Sequence, residues 1–386
     1  MMHSNVRSID LFAISKPINP LTWMFLVNRL QTLYYISFLP NIVTDPSMIW
    51  LILLAAACSH FNIWLLGNWF RQEGLPEGYL GTFRLFGRKA LWLLSLIGLP
   101  VLLIKCALMM LGYVEIVHYI LFPSLTPKLF VVLLLFACLY LARLGMEQTL
   151  RFSVIAFIGT FWIIVFYIPL ILPPKADYYH LLPLIPDRVV PYSWQTFFML
   201  WTAFAGPEYL LALPKKAMDD RRFKRYLRIG NVLSAIEYVF FIGIALLFYG
   251  PEYLQKLDFP FVQLIRYIQL PIAERLEMFI IPAYALSVIY VVAVFLLYAT
   301  GALQIVTGTS HRWSKRNLGV TFVLLLSTTL AIQHWGWANE TGKVRWIEWH
   351  NWLDASTYAA LPLLLLIAKL RIQKRGARHA THKPTN

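Results

Sequence analysis

Four ionisable side chains lie in stretches that are otherwise apolar. Arg29 falls inside the run 21–40, Lys105 inside 90–114 and Glu237 inside 229–249, while Glu208 follows Phe204-Ala205-Gly206-Pro207 within 194–214. Charge held within lipid is costly, and such side chains normally face a partner or a cavity. Arg29 and Glu237 each stand eight residues into their runs, roughly 12 Å deep at 1.5 Å per residue. The chemistry expected of them is electrostatic. Arg29 pairs with Glu208 or Glu237 and closes the inner end of a pathway, or else it snorkels along its own stem to the inner headgroups. Lys105 is a candidate proton carrier, since burial readily alters an amine's hold on its proton. A structural ion pair or a snorkelling side chain is the alternative.

Covalent chemistry has no comparable foothold. The sequence holds no P-loop, no G-x-S-x-G and no H-E-x-x-H motif. Its three cysteines, Cys58, Cys106 and Cys138, all lie in apolar runs and match neither a disulfide framework nor a zinc spacing. His379 and His382 fall in a polar tail read as disordered. We therefore expect no catalytic residue, no metal and no cofactor.

The elements that position these charges follow from composition. Of 386 residues, 59% are hydrophobic and only 14% charged, against about 45–50% and about 25% in soluble domains. This excludes an ordinary soluble fold and a disordered chain, and leaves a polytopic, all-α integral membrane protein. Ten apolar segments are legible, at 21–40, 48–67, 90–114, 129–142, 152–172, 194–214, 229–249, 276–300, 318–333 and 354–370. They divide the chain into a cytoplasmic N-terminal tail (1–20), a membrane domain (21–371, with halves 21–172 and 194–371) and a basic cytoplasmic tail (372–386). The opening residues lack an ordered n-region, apolar core and cleavage site, so no removable signal peptide is expected.

Orientation follows from the basic residues. With both termini cytoplasmic, the inner segments hold 24 Lys and Arg and the outer loops 8, as the positive-inside rule requires. The net charge of +15 thus reflects topology. It is scattered over six inner segments and does not point to nucleic acid. The densest run, Lys215–Arg228, suits membrane anchoring, anionic lipid or a partner domain. Trp335, Trp337, Trp346, Trp349 and Trp352 crowd the outer loop before segment 10, at headgroup level, either as a loop or as a small interfacial helix.

Interruptions are informative because unpaired backbone is tolerated in lipid only where protein or a cavity surrounds it. Segment 6 is broken at Phe204–Pro207, and segment 1 is interrupted near Pro40. These are the first members of two five-segment halves. Paired breaks at equivalent places point to an inverted-repeat transporter with a midplane site; two ordinary proline kinks are the plainer alternative.

Several stretches, taken in order, carry a family resemblance. They are Phe38-Leu39-Pro40 with Trp50 beyond it, Thr126-Pro127, Leu141–Ser153, Leu181–Asp187, Phe204–Lys216, Tyr249–Pro271 and Glu274–Phe279. Together they resemble the spore germination permease family, the GerAB-type B subunits of germinant receptors, within the amino acid–polyamine–organocation superfamily. The resemblance covers about residues 15–310 well and the last 75 weakly. It implies a ten-helix 5+5 inverted repeat with spans 1 and 6 unwound around a pocket for a small germinant, amino acid-like. It also implies A-type and C-type receptor subunits as partners and residence in the spore inner membrane.

The ligand-binding residues expected on this basis are Tyr34, Tyr35, Ser37, Phe204, Ala205, Gly206, Tyr284 and Ser287. The family usually has a glycine-containing stretch before the Leu-Pro of span 1, whose free donors would hold a carboxylate. Here that place reads Leu33-Tyr34-Tyr35-Ile36-Ser37, so the pocket is expected to be smaller, differently shaped or closed. Three functions follow: a germinant sensor, a proton-coupled amino acid permease, or a structural receptor subunit with an occluded pocket.

Overall fold

The computed structural model describes residues 12, 14, 17–32, 43, 45–70, 87–185, 194–218, 221–268, 275–308 and 314–380. Described secondary structure is helical throughout. Its principal helices are α1 (Pro20–Gln31), α2 (Met48–Trp69), α3 (Arg88–Ile120), α4 (Pro127–Arg143) and α5 (Met146–Phe161, continued by short helical turns to Ile171). They are followed by α6 (Trp194–Thr202), α7 (Phe223–Tyr249), α8 (Glu277–Thr307), α9 (Lys315–Ile332) and α10 (Glu340–Ala380).

Seven of these, with their continuations, are long and apolar enough to cross a membrane: α2, α3, α5, α7, α8, α9 and α10. The remaining three, α1, α4 and α6, have 12, 17 and 9 residues. The chain is accordingly an all-helical integral membrane protein.

The short helices have local causes. Asn19 caps α1 by accepting the Leu21 N–H at 3.0 Å, and Pro20 occupies the first turn, where its missing donor costs nothing. At the other end, the backbone N–H and hydroxyl of Thr32 both bond the Asn28 carbonyl at 2.9 Å. Twelve residues span roughly 18 Å, well short of the ~30 Å hydrocarbon core. Helix α6 stops at Thr202, and the chain resumes as a 3-10 helix, Pro207–Ala212, after four non-helical residues. The break expected at 204–207 is therefore present. The interruption expected near Pro40 lies outside the described residues.

Helix α8 is the core of the domain. It packs against α3, α5, α4 and α9, and every residue from Tyr290 to Ala299 is buried, as expected of a helix that is apolar on all sides. Helix α1 packs on α7 and α5, and α7 on α2. Gly230 permits the first of these approaches. A Cβ there would stand 2.6 Å from the Met24 carbonyl oxygen and 3.0 Å from the Val27 Cβ.

The C-terminal part departs from expectation. The tryptophan-rich stretch is neither an open loop nor a separate interfacial helix. A π-helical turn, Gln333–Trp337, ends α9, and α10 then runs unbroken for 41 residues. It extends to Ala380, so the first five residues of the stretch 376–386, expected to be disordered, are helical. Glu115 of α3 anchors the start of α10 and the turn before it, accepting Lys343 Nζ at 2.6 Å and Trp337 Nε1 at 3.0 Å.

Candidate functional site

The α6 break lies against the C-terminal turn of α1. Gly206 has φ +129°, and a Cβ there would come within 3.0 Å of the Leu30 Cβ; glycine alone meets both demands without strain. The break exposes carbonyls that a continuous helix would satisfy, and in lipid each needs a donor. Tyr238 of α7 supplies one hydroxyl positioned against both the Ala203 carbonyl (3.1 Å) and the Gln31 carbonyl. Gln31 donates its side-chain amide to the Phe204 carbonyl at 2.9 Å. Much of the bare backbone at the break is thus already capped by side chains.

Gln31 also belongs to a relay across four helices. Its Nε2 donates to Asn231 Oδ1 of α7 at 3.0 Å. Ser59 of α2 donates to the same oxygen at 2.6 Å and lies 2.6 Å from the Tyr358 hydroxyl of α10. Asn231 in turn donates to the Ala56 carbonyl at 3.2 Å. The ends of α1 and α6 are therefore tied to α2, α7 and α10 by one buried polar network.

Two buried ion pairs flank it. Arg29 pairs with Glu237, its Nη2 standing 2.8 and 3.0 Å from the two carboxylate oxygens. The other donors are also used. Nε bonds Asn28 Oδ1 at 2.9 Å, Nη1 bonds Thr160 Oγ1 at 2.6 Å, and the guanidinium lies 5.2 Å from the Phe157 ring centre. Of the two acids expected to face Arg29, the structure selects Glu237. The sequence places both acids toward the same end of their segments as Arg29, but the non-helical turn before Glu208 directs that side chain elsewhere.

Glu208 instead turns back on the break, accepting the Gly206 N–H at 2.5 Å through Oε2. Its other oxygen is buried and accepts no hydrogen bond among the described residues, and the same holds for Gln31 Oε1. Glu208 is close enough to Lys105 and Asp354 to interact with both. Lys105 pairs with Asp354 of α10 at 2.8 Å, both side chains being fully enclosed. Its ammonium also lies 4.9 Å from the Phe295 ring centre and 5.2 Å from that of Tyr209. His350 Nε2 stands 3.8 Å from the Asp354 carboxylate. One ammonium thus sits paired with Asp354 and within electrostatic range of a second carboxyl group, Glu208, beside the broken helix, and this is the candidate functional centre.

Of the expected ligand residues, Phe204, Ala205 and Gly206 lie at this centre; Tyr34, Tyr35 and Ser37 lie outside the described residues. Tyr284 and Ser287 are buried on α8, two to three turns from Phe295 and so roughly 12–16 Å along the helix from the centre. Tyr284 borders a cavity of only ≈ 10 Å³ with Tyr113 and Tyr167, room for about one water. Asp354, His350, Asn231, Ser59 and Tyr358 were not singled out from the sequence. The signal that could have found Asp354 is its i,i+4 spacing from His350 at a depth matching Lys105. Among the described residues no group of three or more His, Cys, Asp or Glu side chains could hold a metal ion.

Residues 18–335 match the family model described as "Spore germination protein". A curated relative, spore germination protein GerQB of Bacillus cereus, is 24% identical over 294 residues, which is 73% of this chain and 76% of the relative. Among solved structures, a manganese transporter of Eremococcus coleocola, crystallised with an aromatic bis-isothiourea substituted compound, is similar with a TM-score of 0.48 and 14% identity. That match covers 96% of this chain and 82% of the transporter chain.

Proposed function

Because this chain belongs to the spore germination protein family, we propose that it is the membrane B-type subunit of a germinant receptor. It binds a small, amino acid-like germinant beside the α6 break and signals to A-type and C-type subunits. Its ten segments form a 5+5 inverted repeat in the spore inner membrane, with both termini cytoplasmic. The observation that carries this reading is the interrupted helix at 203–206, held against the end of α1 within the region of family similarity.

The polar relay gives the reading a mechanism. A ligand shifts a two-state protein only by binding one state better. A germinant that contacts Phe204–Gly206, or the open oxygens of Glu208 and Gln31, would alter the bonds holding α1 to α6. Through Asn231, Ser59 and Tyr358 the change would reach α2, α7 and α10, whose inner ends continue into basic cytoplasmic segments. Arg29–Glu237 closes the inner side of this pathway.

Two other readings have particular support. Lys105, paired with one carboxyl group and within electrostatic range of a second, would serve proton coupling in an amino acid permease. The capped carbonyls and the small cavity at Tyr284 favour a structural subunit with an occluded pocket, to which Tyr34 and Tyr35 would contribute. Thermal unfolding of the purified protein with single amino acids separates them. Ligand at 100 times its Kd stabilises the native state by about 2.7 kcal/mol. Stabilisation without uptake by vesicles supports the receptor, and stabilisation with uptake supports the permease. No shift with any amino acid, together with normal complex assembly, supports the scaffold and overturns sensing by this chain.

A further inference from the structure

A groove of ≈ 590 Å³ runs along the outside of the domain where α2 meets α7. Its walls include Ala56, Ala57 and His60 from α2 and Asn231, Ala235 and Val239 from α7. The volume is that of an ordinary small-molecule site, ~300–1,000 Å³, yet the lining is almost wholly apolar. Small alanines on both helices create the depression. It extends from Asn231 to Phe240, roughly 14 Å along α7.

The ends of the groove differ. With both termini in the cytoplasm, as proposed above, the outer end is Leu53 and Phe240. At the inner end stand His60 and Asn231, with Arg228 close enough to His60 to act on it electrostatically. Arg225 and Arg228 are both exposed. With Val232, Ala235 and Val239 they fall at three- and four-residue steps, which places them on one face of α7. The stripe thus begins as two arginines and continues as the groove wall. Lys224, one turn before Arg228 on α7, is engaged with Asn68 of α2. Trp64, one turn inward of His60 on α2, is half exposed, as a tryptophan at headgroup level would be.

We propose that this groove is a binding site for one anionic glycerophospholipid. One acyl chain lies between α2 and α7, and the anionic headgroup rests on Arg225 and Arg228. Charge complementarity selects this occupant. A basic pocket between helices on the cytoplasmic side suits an anionic headgroup, whereas an apolar partner helix would find no use for two arginines at the mouth. The bound lipid packs on Ala56 and Asn231, which also hold the relay to Gln31. This proposal is independent of any germinant.

The test is native mass spectrometry of the full-length protein in a neutral detergent, titrated with phosphatidylglycerol or phosphatidylcholine. The expected result is one retained phosphatidylglycerol, displaced poorly by phosphatidylcholine. Arg225→Gln and Arg228→Gln should each weaken retention about 5-fold, and roughly 25-fold together, from about 1 kcal/mol per basic side chain at the surface. Ala57→Phe fills the groove and should abolish retention. Should that variant fold poorly, the arginine pair, lying at the exposed end, still decides. Equal retention of the two lipids, or a double arginine variant within twofold of the parent, overturns the proposal. So does a crosslink from Ala57→Cys to a partner protein in whole membranes, because a protein helix would then occupy the groove.

Discussion

The Arg29–Glu237 and Lys105–Asp354 pairs are both enclosed by protein within the membrane, but their surroundings differ. Around Arg29 all three guanidinium nitrogens have partners, drawn from Asn28, Thr160 and Glu237, and an aromatic ring lies alongside. Near Lys105 there is a second acid, Glu208, with one oxygen left without a partner among the described residues, and Gln31 at the helix break has another. A buried pair earns little net stability unless its remaining hydrogen-bonding groups are satisfied. The first pair meets that condition and fastens α1 to α5 and α7. The second leaves acceptor capacity unused beside the one broken helix in the described chain that lies against α1. We read the first as a fastener and the second as the place where something binds or moves.

The largest stability effect should come from breaking the saturated pair. Glu237→Ala leaves a guanidinium that cannot release its proton, and the cost should be about 3–5 kcal/mol, read as a loss of folded protein or a steep fall in thermal midpoint. Replacing both partners, Arg29→Met with Glu237→Leu, should recover most of that loss, because no unpaired charge then remains. If the double variant is as unstable as the single one, the pair does more than fasten helices.

Lys105→Met is the matching experiment at the other pair, and it should cost less, about 2–3 kcal/mol. Loss of an ammonium leaves carboxyl groups, a class of side chain with a neutral form, whereas loss of a carboxylate leaves a guanidinium with none. A cost equal to that of Glu237→Ala would erase the contrast between the pairs.

The contrast also explains what could be read beforehand. Long apolar runs made the spans visible, and Gly206-Pro207 made the α6 break visible, because both are properties of composition along the chain. Arg29, Lys105, Glu208 and Glu237 stood out because charge in an apolar run is conspicuous. Asp354 did not. It lies well inside α10, but the polar, tryptophan-rich residues before it hid fourteen residues of helix and made it look like the border of a span. Nor could depth tell Glu208 from Glu237 as the partner of Arg29. Counting residues gives the level of a side chain, while its direction is set by the non-helical turn at 203–206. The capping of that turn by Tyr238 and Gln31 depends on contacts between distant helices, which periodicity does not encode.

Tyr238→Phe probes that capping directly. It removes the donor shared by the Gln31 and Ala203 carbonyls. At about 0.6 kcal/mol for a typical interhelical hydrogen bond in a membrane, rising to about 1.7, the loss should be roughly 1–2 kcal/mol in thermal unfolding. It should also loosen α1 from α6, raising amide exchange near Gln31 and Ala203 while leaving α9 unchanged. Uniform change across the domain would show that the break is not a separate unit.

The smallest stability effect, and the sharpest functional one, is expected of Glu208→Gln. The amide oxygen can still accept the Gly206 N–H, so the turn keeps its internal bond and the change in stability should be smaller than in any of the variants above. What changes is charge: the second acid near Lys105 disappears, while Lys105–Asp354 remains balanced. If Glu208 is there to receive the positive end of an amino acid-like germinant, stabilisation by that ligand should fall at least tenfold in apparent affinity. Glu208→Asp, which keeps the charge on a shorter arm, should retain part of it. A structural role predicts the opposite order, with Gln tolerated for ligand response and Asp disruptive because its shorter side chain no longer reaches the Gly206 amide.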